Sequence, residues 1–248
     1  MKVSIVIPAH NEEALIGKTL EAVLQQDYPD FEVIVVDNAS TDKTSEIAAS
    51  YSGVTVVYEP RKGLLWAREA GRKNASGEII VNTDADCIPD VDWLSQGVTH
   101  FTHPKIVAVT GPVSFFDAGP VFQRVTLGIQ KFGYPFFSKL FQSMNIGAVL
   151  IGGNNFIRSD ALKAVGGYNT AIEFYGEDTD TAKRLMKVGK VLFKNNVITA
   201  TSSRRFVAQG TWETSFLYLF NFIWVTFFRS TQRMLKLRAK NLFSGRAK

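Results

Sequence analysis

Short apolar runs alternate with amphipathic patterns of helical period through the first half of the chain. Residues 3–7 and 33–36 are almost wholly apolar, as is typical of strands that are buried on both faces of a parallel sheet. This alternation predicts an α/β fold in which a mostly parallel central sheet is flanked by helices. The predicted strands of this half are 3–7, 32–36, 55–58 and 78–82, and the predicted helices are 13–25, 44–50 and 64–74.

The second half of the chain has a looser pattern. Residues 115–150 form a long aromatic segment, in which we expect three glycines and Pro135 to interrupt any continuous helix. After this segment, Ser159 is the predicted N-cap of one helix, and Gly189 is the predicted C-cap of another helix that begins near Glu177. The predicted strands of this half are 106–111, 191–193 and 197–200.

The strand at 78–82 runs directly into Asp84 and Asp86, two carboxylates separated by one residue. In an extended chain, residues i and i+2 project to the same face, so both carboxylates can point at one cation. Two carboxylates this close repel each other unless a cation lies between them. Oxygen ligands favour Mg²⁺ or Mn²⁺, which keep coordination positions open for substrate phosphates. The alternative is a solvated turn with this aspartate spacing by chance.

Polar residues also follow two other predicted strands. Residues 8–12 come after the first strand, and Asp37 comes directly after the second. Ligands of open parallel sheets bind at the carboxyl ends of the strands. We therefore expect these residues and 84–86 to line one ligand site.

The net charge of +5 is unevenly distributed. Residues 229–248 contain seven lysines and arginines and no acid, which leaves residues 1–228 with a net charge of −2. The basic character therefore belongs to the tail, and nucleic acid is not an expected partner. The single cysteine, Cys87, excludes an intrachain disulfide and suits a reducing compartment. The apolar run before Pro8 is too short for a signal peptide, so we expect a cytoplasmic location.

Four motifs follow one another along the chain: VSIVIPAHNEE at 3–13, VDNASTDKT at 36–44, TDAD at 83–86 and GEDTD at 176–180. They occur in the order seen in family 2 glycosyltransferases with the GT-A fold, which the chain resembles up to about residue 205. The resemblance implies a Rossmann-like nucleotide half, an acceptor half, and inverting transfer of a sugar from a nucleoside-diphosphate sugar to an acceptor hydroxyl. It favours a UDP-sugar as donor, with a GDP-sugar as the second choice.

The resemblance also implies a metal site and a nucleotide site. Asp86 would bind Mn²⁺ or Mg²⁺, which stabilises the charge on the departing nucleoside diphosphate. Asp84 would contact the ribose or share the metal through water, and its alternative is a strand-end cap. The implied nucleotide-binding residues are Pro8, Ala9, Asn11, Glu12, Asp37, Arg68, Asp84 and Arg205.

Several of these residues have a structural alternative. Asp37, implied to accept the imino N–H of the base, is also placed to cap its own Asp-x-x-Ser turn, and Asn11 is placed to cap the following helix. Arg68 has the alternative of a solvated helical charge. Arg205 and its neighbour Arg204 could clamp the diphosphate or form an exposed basic turn.

Asp178 is the catalytic base that the resemblance implies. An inverting displacement needs one base to take the acceptor proton, opposite the leaving group. The alternative is an acidic first helical turn that complements the helix dipole, with an ion pair between Asp180 and Arg184.

The predicted organisation is a catalytic domain at 1–210, with a nucleotide-sugar half at 1–110 and an acceptor half at 111–210, followed by a C-terminal helical segment at 211–248. Residues 216–228 are apolar or aromatic except Asn221 and Thr226, and they are too few to span a bilayer comfortably. Together with the basic tail they suit peripheral contact with the inner face of the cell membrane. The acceptor would then be a glycan or a lipid-linked sugar. The alternative is a helix packed on the catalytic domain or across a dimer.

Two other functional classes are compatible with part of this pattern. A nucleotidyltransferase would also need a nucleotide pocket and Mg²⁺ carboxylates, but the opening motif at 8–12 has no glycine-rich phosphate loop. A nucleotide-sugar-binding scaffold with a decayed site is disfavoured because Asp84, Asp86 and Asp178 are all intact.

Overall fold

The apolar runs of the first half form neighbouring parallel strands on one side of a seven-stranded sheet. The computed structural model describes residues 1–172 and 176–210, without the side chains of Arg205 and Gln209. The strands are β1 Val3–Ala9, β2 Phe31–Asp37, β3 Val54–Tyr58, β4 Ile79–Thr83, β5 Cys87–Pro89, β6 Ile106–Thr110, β7 Val113–Phe115, β8 Asn154–Arg158, β9 Lys190–Phe193 and β10 Thr199–Thr201. The helices are α1 Ile16–Leu24, α2 Thr44–Ala49, α3 Leu64–Asn74, α4 Trp93–Thr99, α5 Pro120–Gly128, α6 Tyr134–Ser143, α7 Ser159–Ala164, α8 Glu177–Leu185 and α9 Arg204–Gln209, and a π-helix, Ile129–Gly133, joins α5 to α6.

The large sheet has the strand order β3-β2-β1-β4-β8-β6-β9, and a small sheet has the order β5-β10-β7. Among the described strands of the large sheet, only β8 runs against its neighbours. The sheet is therefore mostly parallel and flanked by helices, which confirms the predicted fold class. Because β2, β1 and β4 are adjacent and parallel, their carboxyl ends meet at one edge of the sheet.

Strand β1 contributes to the cores on both faces of the sheet. Ile5 packs with α1 on one face, and Val6 packs with α3 on the other. Because side chains alternate along a strand, a strand that is covered on both faces must be apolar at nearly every position. Between α4 and β8, the buried rings of Trp93 and Phe156 meet edge to face, with 4.9 Å between their centroids.

Most predicted elements are confirmed, with boundaries shifted by up to three residues. The sequence pattern does not predict α4, α9, β5, β7 or β8. Strands of three residues, such as β5 and β7, are too short to show an alternating period.

The predicted interruption of the helix within 115–150 is wrong. Helix α5, the π-helix and α6 follow one another without a break from Pro120 to Ser143. Pro120 is the first residue of α5, where a missing N–H costs no helical bond. Pro135 lies in the first turn of α6, next to the π-helix, where the bonding pattern already changes.

Both predicted helix caps are also wrong. Ser159 is the first residue of α7, and its N–H donates to the carbonyl of Glu78 at 2.9 Å instead of starting the helix as its cap. Helix α8 ends at Leu185, well before Gly189. A Cβ on Gly189 would lie 2.3 Å from Val107 Cγ1, so this glycine permits close packing before β9.

The predicted helical segment at 211–248 lies outside the described residues, and the division of the catalytic domain at residue 110 stays a prediction. Across residues 1–172 and 176–210, no helix combines the length and the apolar character that crossing a membrane requires.

Gly71 in α3 tests the tightness of the packing between this helix and the sheet. A Cβ at Gly71 would lie 2.3 Å from Val6 Cγ1 in the middle of the sheet. We expect Gly71→Ala to lower the free energy of unfolding by about 1–3 kcal/mol through overpacking, although alanine is the better helix former. Urea unfolding monitored by circular dichroism measures the change.

Gly128→Ala is the matched helical control, because no atom lies within 4 Å of its Cβ position. This substitution should leave stability unchanged or raise it by up to about 1 kcal/mol. Equal stability of the two variants would contradict the close packing of α3 on β1.

Candidate active site

The turn that follows β4 brings Asp84 and Asp86 together. Strand β4 ends at Thr83, so the two carboxylates are not on an extended chain as the sequence analysis assumed. Instead the chain turns at Asp84, and the N–H of Cys87 donates to the Asp84 carbonyl at 3.1 Å. The hydroxyl of Thr19 in α1 donates to the carbonyl of Ala85 at 2.8 Å and anchors the turn from below.

This turn can hold a divalent cation. Ligand atoms of Asp84, Asp86 and Cys87 all lie within 4.8 Å of one another. Burial and the two nearby aspartates raise the pKa of the Cys87 thiol to about 12, and a soft thiol ligand suits Mg²⁺ or Mn²⁺ less well than the two carboxylates do. Burial and the charge of Asp84 raise the pKa of Asp86 to about 6, as expected of a carboxylate that lacks enough positive charge nearby.

Glu12, after β1, adds an oxygen atom to the same region. Its Oε2 is buried and has no hydrogen-bond partner among the described residues. Its other carboxylate oxygen accepts a hydrogen bond from Arg204, which also lies 3.2 Å from Asp86 Oδ2. The carboxylates of Asp84 and Asp86 are hard oxygen donors that fit Mg²⁺ or Mn²⁺, and Glu12 is linked to Asp86 through Arg204.

Arg68, in α3, connects the aspartate turn to a second carboxylate. Its Nη1 donates to Asp178 Oδ1 at 3.0 Å, and its Nη2 lies 3.5 Å from Asp84 Oδ1. The arginine side chain is 3% exposed, which makes the solvated alternative wrong. Burial alone would lower the pKa of Arg68, but the charges of Asp178 and Asp84 raise it, so the guanidinium stays charged.

Asp178 lies in the first turn of α8, after Gly176, which has a left-handed conformation with a φ of 91°. The N–H of Gly152 donates to the Asp178 carboxylate, and burial raises the pKa of this carboxylate against the opposing effect of Arg68. Asp180 instead pairs with Arg184 at 2.8 Å. The structural alternative is thus confirmed for Asp180 and Arg184, while Asp178 faces the site.

Gly152 and Gly153 allow the backbone before β8 to approach the site closely. A Cβ at Gly152 would lie 2.6 Å from Arg68 Nη2 and 2.7 Å from Asp178 Oδ2. A Cβ at Gly153 would lie 2.6 Å from Asp84 Oδ2. The two glycines therefore leave the carboxylates and the arginine room to meet.

The loops that follow β1 and β2 are hydrogen-bonded to each other. The side chain of Asn11 accepts a hydrogen bond from the N–H of Thr41 at 2.8 Å, so it joins two loops and does not cap α1. Asp37 is buried and accepts from the N–H of Ser40 at 3.0 Å, as its capping alternative predicts. Pro8 and Ala9 are the last two residues of β1 and bring its loop to the same edge of the sheet.

Arg204 is the site residue whose contacts the sequence analysis missed. It pairs with Glu12 and Asp86, although it lies 192 residues from Glu12 along the chain. Its helix, α9, is held by Asp117, which accepts from the Ser202 hydroxyl and the Ser203 N–H, both at 2.6 Å. The side chain of the predicted Arg205 lies outside the described residues.

Replacing Arg68 should leave Asp84 and Asp178 without their shared positive charge. We expect Arg68→Met to lower the free energy of unfolding by about 2 kcal/mol, less than for a fully buried pair because both carboxylates are partly exposed. Adding Asp178→Asn should restore part of this loss, because it removes one uncompensated charge. Urea unfolding of the two variants measures both effects.

Lys2→Met is the control, since Lys2 pairs with Glu32 at 3.6 Å and both side chains are partly exposed, at 42% and 29%. It should change the free energy of unfolding by less than about 1 kcal/mol. If Arg68→Met were as mild as Lys2→Met, Arg68 would not hold the two carboxylates together.

Comparison with known proteins places this geometry in a family. The sequence model of the family described as glycosyl transferase family 2 matches residues 4–166. The glycosyltransferase AglE of Haloferax volcanii is 31% identical over 214 residues, which cover 82% of this chain and 68% of the relative. A Methanococcus voltae enzyme named dolichyl N-acetyl-alpha-D-glucosaminyl phosphate 3-beta-D-2,3-diacetamido-2,3-dideoxy-beta-D-glucuronosyltransferase is 29% identical over 125 residues, covering 45% of this chain and 39% of the relative.

Among solved structures, the mannosyltransferase PcManGT from Pyrobaculum calidifontis, in complex with GDP-Man and Mn²⁺, has a TM-score of 0.65 and 27% identity. The match covers 81% of this chain and 56% of that chain. This structural neighbour is thus considerably longer than the present chain. The family model covers more than half of the sequence, and the mostly parallel sheet agrees with the structural neighbours. The chain therefore belongs to glycosyl transferase family 2 and has the GT-A fold.

Proposed function

We propose that the chain transfers a sugar from a nucleoside-diphosphate sugar to an acceptor hydroxyl, with inversion at the anomeric carbon. The observation that carries this proposal is the pairing of two carboxylate centres by one arginine. Asp84 and Asp86 form the first centre and Asp178 forms the second, with Arg68 between them. A cation and diphosphate site next to a lone carboxylate is the arrangement that such a displacement needs.

Asp86 and Asp84 are the proposed ligands of Mn²⁺ or Mg²⁺, with Glu12 close by. When bound, the cation stabilises the negative charge that the nucleoside diphosphate gains as it leaves. The Mn²⁺ in the structure of PcManGT, which is 27% identical, supports this assignment. The loops after β1 and β2, with Pro8, Ala9 and Asn11, are proposed to bind the nucleotide, with Asp37 beneath them.

Asp178 is the proposed base. The acceptor hydroxyl gives its proton to the Asp178 carboxylate as its oxygen bonds to the anomeric carbon, and the bond from that carbon to the diphosphate oxygen breaks. Partial burial makes this carboxylate a better base, while the hydrogen bond from Arg68 holds it in place and favours its charged form.

The donor stays open between UDP- and GDP-sugars: the sequence resemblance favours UDP, and the GDP-Man in the PcManGT structure supports GDP. The Methanococcus voltae relative is named for transfer to a dolichyl phosphate sugar, which supports a lipid-linked acceptor here. A thermal-shift screen of both donor classes, with and without Mn²⁺, tests the proposal. Release of free nucleoside diphosphate on adding donor separates an enzyme from a scaffold that only binds nucleotide sugars.

Asp86→Asn should abolish the metal-dependent part of donor binding and leave the fold intact, because the substitution removes charge without changing volume. Titration calorimetry with the donor, in the presence and absence of Mn²⁺, measures this. Asp30→Asn is the control, since Asp30 is an exposed residue before β2. If Mn²⁺ raised the donor affinity of Asp86→Asn as much as that of the wild type, Asp86 would not be a metal ligand.

Asp178→Asn should bind the donor normally and turn over on the order of 10²–10⁴ times more slowly, which is the usual contribution of a positioned base. Calorimetry gives the affinity, and nucleoside diphosphate release in the presence of acceptor gives the rate. A variant that retained more than about a third of wild-type turnover would show that another group takes the proton.

A further inference from the structure

The helical run from α5 to α6 carries its apolar side chains on its outer face. Eight of the fourteen large hydrophobic side chains that are exposed among the described residues belong to this run and the residue after it. The eight are Val121, Val125, Ile129, Phe132, Phe136, Phe137, Leu140 and Met144. Seven of them follow one another at steps of three or four residues, so they form one continuous row, which we call the outer apolar row.

The inner face of the same run contacts the protein through polar side chains and through two aromatic rings, Phe122 and Tyr134. Gln130 is buried, and its side-chain amide exchanges two hydrogen bonds with the backbone of Val113 in β7, at 2.8 and 2.9 Å. Gln142 likewise bonds the backbone of Val191 in β9 at 2.8 and 3.2 Å. The helices are thus attached to two strands by polar contacts. An ordinary surface helix turns its apolar stripe to the core, whereas this run leaves most of its large apolar side chains on the outer face.

The charges of the run point to the chemistry of a partner. Arg124, Lys131 and Lys139 are its charged residues, and there is no acid between Asp117 and Asp160. Two copies of such a surface would repel each other. The basic residues at 229–248 are likewise no complement to it. An anionic surface complements both.

We propose that the outer apolar row lies in the interface of an anionic lipid bilayer, with α5 and α6 parallel to the membrane plane. An apolar face flanked by lysine and arginine is the pattern of helices that bind in this way. The run of 24 residues would be about 36 Å long at 1.5 Å per residue. Its polar inner contacts and its three cations exclude a spanning orientation.

The surface is connected to the active site through an aromatic cluster. Phe122 of α5 packs against Phe115 and Phe206, with centroid distances of 5.5 and 5.4 Å. Phe206 belongs to α9, the helix that carries Arg204 to Asp86. Exposed Phe116 and Val207 are the chain neighbours of two cluster members. A bilayer against this face would thus lie beside α9, the helix next to the turn of Asp84 and Asp86.

Cosedimentation of the full-length chain with vesicles tests the proposal. Vesicles of phosphatidylcholine containing phosphatidylglycerol should bind the protein, and pure phosphatidylcholine vesicles should bind it much more weakly. Phe132→Glu combined with Phe136→Glu should weaken binding at least about tenfold, since these side chains are 82% and 63% exposed and their loss from the lipid is the main cost. Replacing Arg124, Lys131 and Lys139 together by glutamine should weaken it on the order of 100-fold.

The matched control combines Val91→Glu with Val188→Glu, two exposed valines on other parts of the surface. This variant should bind vesicles like the wild type. Donor binding should be unchanged in all three variants, because none of the substituted residues contacts the nucleotide or metal residues described above. If the proposed glycosyltransferase function were wrong, the protein would not bind the donor, but its binding to vesicles would be unchanged.

A single-site label identifies which surface meets the lipid. Cys87 is buried and therefore inaccessible to a labelling reagent. Phe132→Cys therefore gives one reactive position for an environment-sensitive fluorophore, and Val91→Cys gives its control. The label at 132 should shift to the blue when anionic vesicles are added, and the label at 91 should not.

Three results would overturn the proposal. Vesicle binding that survives Phe132→Glu with Phe136→Glu would assign it to another segment, such as 216–228. The label at 132 could be blue-shifted without lipid while the chain does not bind vesicles. This result would mean that residues 211–248 cover the outer apolar row. A shift that depends on protein concentration alone would mean that a second copy covers it.

Discussion

The site depends on one buried guanidinium. Arg68 binds Asp84 after β4 and Asp178 at the start of α8, so it joins two motifs that lie 94 residues apart. Without it, two partly exposed carboxylates would face each other without a shared positive charge. The glycines before β8 are part of the same constraint, because a side chain at Gly152 would occupy the space of the arginine and Asp178. One ion-pair network therefore holds the turn of Asp84 and the proposed base at a fixed separation.

The predictions that rest on local sequence pattern, such as the buried strands and the helical ion pair, are largely confirmed. β1 and β2 are almost wholly apolar because both faces of the sheet are covered. Since Asp37 ends β2 and Asp84 follows β4, the parallel arrangement of these strands places both aspartates at the carboxyl edge of the sheet. The ion pair of Asp180 and Arg184 follows from helical spacing alone. Each of these features depends on neighbours within a few residues or on a general property of parallel sheets, so one sequence is enough to find it.

Contacts between distant segments could not be predicted. Nothing in the residues around Arg204 indicates that it pairs with Glu12 or Asp86, because the meeting depends on where Asp117 holds α9. The cap predicted at Ser159 failed for a related reason: its N–H donates to the carbonyl of Glu78, the residue just before β4. In both places tertiary contacts override the preference of the local sequence.

The helical run of α5 and α6 shows how such an override can serve a purpose. Glycine and proline would normally end these helices, yet the run continues through a π-helix, which changes the number of residues per turn midway. That change keeps the apolar residues of α5 and α6 in one row, although regular steps of four residues would drift around the helix. Gln130 and Gln142 attach the run by hydrogen bonds, and Phe122 and Tyr134 add aromatic contacts, so eight large apolar side chains from Val121 to Met144 stay exposed. The residues of the outer face are therefore determined by the surface that this face contacts. Three cations lie beside the face without a neighbouring acid in the run, and an anionic lipid bilayer matches both their charge and the apolar row.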